Sequence, residues 1–356
     1  MKRNGKIELL RFIFSIGVLC FHVQKYLATE IKPTGNVRFD FFPHGAMGVE
    51  FFFVVSGFLM ASYVFNSMER EKNLSLGKST ALFMKKKFMG IFPMHCIVAL
   101  PVFIATALGR NWGLSKCFDK AVDSISGFFF LQMAGFQGTY INHIEWYLSA
   151  MLIGMLLIYP LLRKYYTTFT HIIAPIFSVL ALGYMAHNYG KLSGVMSWEG
   201  LCYRGTLRGV LELSLGTTCF EISRAIKAME LTKKGRLAFT AAEIALWGMC
   251  AVLVMTTVSY YYEIYTLLII AAATTITFAN IGFGSNIFNN KFIYYLGKLS
   301  LPIYLSQLIL IELVPSYLGH LNVPIQMIIT IAGTLIISVG LLHLTDYVTS
   351  LKSKKA

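Results

Sequence analysis

The stretch IELLRFIFSIGVLCFHVQKY, Ile7–Tyr26, decides the architecture. It is long enough for one helix to cross the roughly 30 Å hydrocarbon core of a bilayer. Lys2, Arg3 and Lys6 precede it, as basic residues precede the apolar run of a signal peptide. However, this run is long, no small-residue cleavage site follows, and Gln24-Lys25-Tyr26 reads as an interfacial anchor. The expectation is a first helix that stays. Its charged residues carry more information than its apolar ones. Arg11 and His22 are eleven residues apart, which at 100° per residue is three turns plus about 20°. They share one face, roughly 16.5 Å apart along the axis, with Ser15 and Val18 between them. Such a stripe faces a bundle interior or an aqueous cavity. The plainer reading is a snorkelling arginine and a histidine bonded to a neighbouring helix.

Outward from this helix the apolar length recurs. The further expected spans are Ala46–Phe65, Phe88–Gly109, Glu145–Leu162, Ile172–His187, Gly205–Phe220, Leu237–Val258, Ile264–Gly282, Ile293–Pro315 and Pro324–Thr345. Of 356 residues, 56% are hydrophobic and 13% charged, with mean hydropathy +0.62. A soluble chain carries about 25% charged residues, so a soluble enzyme, a disordered protein and a small disulfide scaffold are excluded. The fold class is all-α: a polytopic membrane protein built as a ten-helix transmembrane bundle. Ser124–Ala134 is too short to span and reads as a re-entrant or surface segment.

The net charge of +14 orients the chain; it does not point to nucleic acid. With the N-terminus inside, the inner segments hold 20 cations, among them Lys2, Arg3, Lys6, Lys85, Lys86, Lys87 and Lys352. The outer segments hold 8: Lys25, Lys32, Arg38, Arg110, Lys116, Lys120, Lys191 and Arg204. Both termini are expected inside, in a multi-pass protein of the cytoplasmic membrane. The longest connections, about Arg110–His143 outside and Asn66–Lys87 inside, are too short for a sizeable soluble core. The chain therefore reads as one membrane domain, 1–356, whose chemistry is done inside the bundle. Six scattered cysteines form no C-x-x-C motif and read as small core residues or free thiols. Cys117 and Cys202 fall in outer loops and are the one pair with a chance to bridge. No metal-ligand spacing is present.

Ionisable residues within spans are costly, so each is a functional candidate. Glu50 enters the second helix near the outer end, where a cation such as His22 would suit it. Ser56 and Gly57 lie near the midplane, where small residues permit close helix approach. Lys85, Lys86 and Lys87 form a boundary anchor that would equally hold a phosphorylated ligand. His143, Glu145 and Trp146 sit at the outer mouth of a helix. Arg208 and Glu212 have the spacing of an ion pair within one helix, and Tyr203 and Arg204 suit an outer, sugar-binding cleft. Gly297 to Gln307 reads as a polar, broken helix entry lining a cavity.

Together these pieces resemble the acyltransferase-3 family, integral-membrane enzymes that O-acetylate bacterial surface polysaccharides. The likeness covers nearly the whole chain. It rests chiefly on Arg11 with His22 and on Gly48-Val49-x-Phe51-Phe52 continuing to Ser56-Gly57-Phe58. Weaker matches are Glu145-Trp146-Tyr147-Leu148-Ser149 and Leu296-Gly297-Lys298-x-Ser300-x-x-Ile303-Tyr304-Leu305.

The resemblance implies transfer of an acyl group, usually acetyl, from cytoplasmic acetyl-CoA to a hydroxyl of a glycan or lipid-linked sugar. The family's helix-one histidine and arginine carry over to His22 and Arg11, and Glu50 or Glu145 would fix the imidazole, so that the expected catalytic set is His22, Glu50 and Glu145. Arg11, Lys85, Lys86, Lys87 and Ser56 would bind the donor, and His143, Trp146, Tyr203 and Arg204 the acceptor, without a metal. The family's R-x-x-R-I-x-P element falls on Lys87-x-x-Gly90-Ile91-Phe92-Pro93, so both arginines are missing. Its usual histidine after the late Tyr-Leu pair is Gln307, which argues against proton transfer there. The other expected partners are the bilayer and either a second copy or a soluble transferase. The rivals are a sugar or lipid-linked saccharide flippase, which would predict internal repeats that the sequence lacks, and a non-catalytic subunit of a polysaccharide machine.

Overall fold

The computed structural model describes residues 3–27, 42–136, 142–256, 262–284 and 286–353, with the backbone alone at 352 and 353. Lys2, Lys32, Arg38, Lys354 and Lys355 of the charge tally lie outside the described residues, as do residues 137–141 of the long outer connection. The described chain is helical apart from one short ladder pairing Trp198 with Tyr203 and Glu199 with Cys202.

In chain order the main helices are α1 (Gly5–Leu27), α2 (Gly48–Ser67), α3 (Leu76–Gly109), α4 (Leu114–Asp123), α5 (Trp146–Lys164) and α6 (Ala174–Tyr189). There follow α7 (Arg204–Lys227), α8 (Lys233–Met255), α9 (Tyr262–Ala279), α10 (Lys291–Leu318) and α11 (Val323–Ser353). Among the described residues, 9 helical segments are long and apolar enough to cross a membrane. The remaining long helix, α7, corresponds to the expected sixth span. It is as long as the others, but Arg204, Arg208 and Glu212 lower its hydropathy, and all three are buried by its neighbours. Successive long helices run in alternating directions. One end of the bundle therefore gathers the starts of α1, α3, α8 and α10, with most of the lysines. We call it the basic end.

The helices start at the basic end for identifiable reasons. Ser75, Thr232 and Asn290 are N-caps, their side chains accepting from the backbone N–H of Lys78, Gly235 and Ile293. Each satisfies one amide that the first turn leaves unpaired. The cap at Ser75 corrects one expectation. α3 begins at Leu76, so Lys85–Lys87 ride on a helix and not in a loop. A second correction concerns α10, which is continuous through Pro302 and not broken at its entry. Ser300 donates to the Gly297 carbonyl at 2.9 Å and Ser306 to the Pro302 carbonyl at 2.8 Å. Polar residues that suggested irregular backbone satisfy a regular one.

Helix contacts are close where glycine permits. A Cβ on Gly57 of α2 would strike the Leu213 carbonyl of α7, and one on Gly216 of α7 would strike the Val54 carbonyl of α2. This reciprocal contact seats α2 on α7, as small residues do between membrane helices. The expected surface segment is two short turns, Ile125–Phe128 and Gln132–Ala134, preceded by α4. Cys117 and Cys202 do not bridge; both are free thiols.

Candidate active site

Arg11 and His22 both reach α10. Arg11 donates to the Ser300 hydroxyl at 3.2 Å and to Glu8 at 3.1 Å. His22 meets Gln307 Oε1 through Nδ1 at 3.0 Å. The shared face read from helical spacing thus meets α10 at both ends, and Ser15 and Val18 between them are buried, Val18 against Gly48 of α2. The histidine's partner also fixes its chemistry. Gln307 Nε2 donates to the Tyr304 carbonyl at 2.8 Å, so its amide oxygen must be the atom facing the ring. Nδ1 then has to donate, and a neutral imidazole keeps its lone pair on Nε2.

At the basic end, Arg11 opens onto a cavity of about 390 Å³ that is also lined by Ser56, Lys86, Lys87, Tyr147 and Tyr304. Four of the five expected donor residues therefore converge. Lys85 does not line it, because a helix turns 100° per residue and carries Lys85 round from Lys86 and Lys87. Gly90 lines the same cavity, and a Cβ there would meet nothing within 4 Å. The resemblance would put an arginine at this position; here the space is open. Lys86 and Lys87 lie 5.4 and 5.5 Å above the rings of Tyr63 and Phe83. Farther from the basic end, Tyr147 and Tyr304 pack edge to face, 5.9 Å between centroids, and the Tyr304 hydroxyl donates to the Ile144 carbonyl. His22 lies one turn of α10 beyond this pair, at Gln307, and is not among the cavity's lining residues.

The expected carboxylates are not with His22. Glu50 turns instead to Arg208, which also donates to Glu212 at 2.6 Å. The expected Arg208–Glu212 pair is present, with Glu50 added to it. The reason is the close seating of α2 on α7, which directs Glu50 away from α1. Glu145 accepts from Asn142 at 2.8 Å and pairs with His95 at 3.0 Å. The imidazole of His22 is therefore positioned by an amide and by neither carboxylate.

The expected acceptor residues separate. His143 shares a hydrogen bond with the Tyr26 hydroxyl, one turn beyond His22 on α1. Trp146 lies under the Arg208 guanidinium, 5.3 Å from centroid to carbon. Tyr203 packs edge-on against Trp198 in the short ladder. Arg204 is buried, donates to Glu199 at 2.8 Å and to the Ser193 carbonyl at 2.9 Å, and stacks on Tyr189. Its charge is used in closing its own loop, which corrects the reading of Arg204 as part of an open cleft. Burial raises the carboxyl pKa of Glu199, but hydrogen bonds from Tyr189 and Arg204 outweigh it and hold the group below its ordinary value.

Four residues escaped the sequence reading. His95 is an ionisable residue within a span, and the rule that singled out His22 would have found it. Gln307 was legible only as a missing histidine. Tyr147 and Tyr304 sat inside quoted motifs without a role. Among the described residues no group of three or more His, Cys, Asp or Glu is placed to hold a metal ion.

A family model described as an acyltransferase domain, acyltransferase-3, matches residues 4–343. No curated protein and no solved structure matches the chain.

Proposed function

The chain belongs to the acyltransferase-3 family of membrane acyltransferases, and on that premise we propose that it moves an acetyl group from acetyl-CoA to a glycan hydroxyl across the bilayer. The basic end faces the cytoplasm in this reading. The observation that carries it is the shared seat of Arg11 and His22 on α10, with a cation-lined cavity at one end and an imidazole at the other. Acetyl-CoA bears several negative charges that cannot enter the bilayer core. Arg11, Lys86 and Lys87 meet them at the mouth, while the thioester end reaches inward past Tyr147 and Tyr304. The acceptor hydroxyl comes from the opposite side to His22.

The tautomer set by Gln307 serves either of two routes. His22 Nε2 takes the hydroxyl proton as the oxygen attacks the thioester carbonyl, and the departing CoA sulfur finally carries the proton. Alternatively, Nε2 itself attacks the thioester carbonyl, expels CoA as its thiolate, and passes the acetyl group to the hydroxyl, whose proton is lost to water while the thiolate takes one up, leaving the imidazole as it began. Both need the lone pair on Nε2.

The acceptor is tested by analysing ester-linked acetyl groups on surface glycans by mass spectrometry. Cells lacking the protein are expected to lose a set of esters that the wild-type chain restores. An unchanged ester profile would rule out a glycan acceptor.

Donor recognition at the mouth is expected to be point-charge electrostatics, because Gly90 leaves no arginine fork there and lysine cannot form one. An exposed pair is worth about 0–1 kcal/mol, so Lys86→Ala should raise KM for acetyl-CoA by no more than about fivefold, and Lys87→Ala, at a half-buried site, by somewhat more. The double variant should raise it further with kcat largely spared, and Lys85→Ala should do little. With a Debye length of about 8 Å at physiological salt, KM should climb with ionic strength. A salt-independent KM and a silent double variant would place the donor phosphates elsewhere.

A further inference from the structure

A second cavity, of about 250 Å³, lies at the end of the bundle opposite the basic one. Its walls are apolar, with Ala99, Val102 and Phe103 from α3 facing Ile125, Phe128 and Phe129 from the turns after α4. Its polar end is different. Gln132 lines it, is 1% exposed, and leaves its side-chain Nε2 without a hydrogen-bond partner. Asn142 also lines it, with Oδ1 buried and unpartnered. An unmet buried donor or acceptor is costly, so a ligand that meets both is favoured there.

The charge of that ligand is constrained by its surroundings. Among the described residues no lysine or arginine lines the cavity. His95 and Glu145 hold each other at 3.0 Å, and His95 Nε2 reaches the Phe128 carbonyl at 3.1 Å, which leaves no free cation for a phosphate or carboxylate. The few polar groups and many aromatic walls disfavour a free sugar, whose several hydroxyls would go unmet. What remains is an uncharged amphiphile. The volume falls below the roughly 300–1,000 Å³ of sites for drug-sized ligands, which suits one chain and not two.

The route in is also visible. Leu114, Phe118 and Val122 on α4 continue into Ile125 and Phe129 as one exposed apolar stripe, each residue at least half exposed. Lys116, Asp119, Lys120 and Asp123 occupy the rest of the helix. A helix of this pattern lies in the membrane interface with its apolar face toward the acyl chains, and Ile125 and Phe129 belong both to that stripe and to the cavity wall.

We propose that this cavity binds an uncharged, single-chain amphiphile from the leaflet opposite the basic end, its head hydrogen-bonded by Gln132 Nε2 and Asn142 Oδ1. The proposal rests on the cavity alone and is independent of the acetyl-transfer reading. The full chain in lipid nanodiscs should be photolabelled with a long-chain alcohol carrying a diazirine on its chain, and the labelled peptides identified by mass spectrometry. Label is expected on peptides covering Ala99–Phe103 and Ala121–Phe129, competed by unlabelled alcohol and not by the carboxylate or phosphate of equal chain length. Ala121→Trp, at the exposed rim of the cavity, should lower labelling there by about tenfold. Gln132→Leu should reduce the alcohol to the level of a diazirine-bearing alkane, whose own labelling stays unchanged. If Ala121→Trp fails to insert, the Gln132→Leu comparison carries the test. Labelling that is unaffected by these variants, equal for the carboxylate, or spread over lipid-facing α8 would overturn the proposal.

Discussion

His22→Ala is expected to lower acyl transfer by about 100-fold or more, the usual cost of losing a general base or nucleophile. Insertion and detergent stability should stay near wild type, because the ring makes one side-chain hydrogen bond, to Gln307. Gln307→Ala is the companion measurement. It frees the ring to adopt the other tautomer and should cost kcat about 3- to 10-fold, the worth of one hydrogen bond of about 0.5–1.5 kcal/mol, with little change in KM. Residual activity above about a tenth of wild type in His22→Ala would remove the imidazole from the chemistry, since base loss costs more. A Gln307→Ala enzyme with unchanged kcat would leave the tautomer argument without force.

The second large effect is expected on stability. Glu50, Arg208 and Glu212 are at most 5% exposed, and one guanidinium serves two carboxyl groups. Removing the cation strands both. Arg208→Met should destabilise the protein by about 3–5 kcal/mol, the range seen when one partner of a buried ion pair is lost. The triple change Glu50→Gln, Arg208→Met and Glu212→Gln should recover much of that, because none of the three then carries a charge, and the neighbouring Glu263 keeps the backbone N–H donors of Leu192 and Ser193. Thermal unfolding in one detergent at fixed lipid content reads both. An Arg208→Met protein with an unshifted midpoint would mean that the carboxyl groups do not need the arginine.

The contrast between Arg11–His22 and Glu50–Arg208 shows what the sequence can carry. Helical geometry puts Arg11 and His22 on one face from their spacing alone, and apolar length alone sets most of the helices. Neither rule names a partner across the bundle. Arg208 meets Glu50 from 158 positions away, and His22 meets Gln307 from 285. Those meetings depend on which helices pack, and so on contacts such as Gly57 against Leu213, which local pattern does not encode. The start of α3 was missed for a local reason. Lys78 and Lys85–Lys87 break its hydropathy without breaking its helix, since lysine is a good helix former. Gln307 shows the limit of reading by resemblance: judged as a lost histidine it seemed inert, whereas its amide holds the ring of another residue.

The Tyr147–Tyr304 pair has a consequence, in the acetyl-transfer reading, for the cell that hosts the protein. A passage open to water at both ends would let protons and ions run down the gradients the membrane maintains. Tyr147 and Tyr304 sit edge to face at the inward end of the basic cavity, and the Tyr304 hydroxyl is tied to the Ile144 carbonyl. That tie leaves the hydroxyl poorly placed to relay a proton along a chain of waters. In the acetyl-transfer reading the pair would act as insulation, passing the thioester end of the donor and nothing larger or charged.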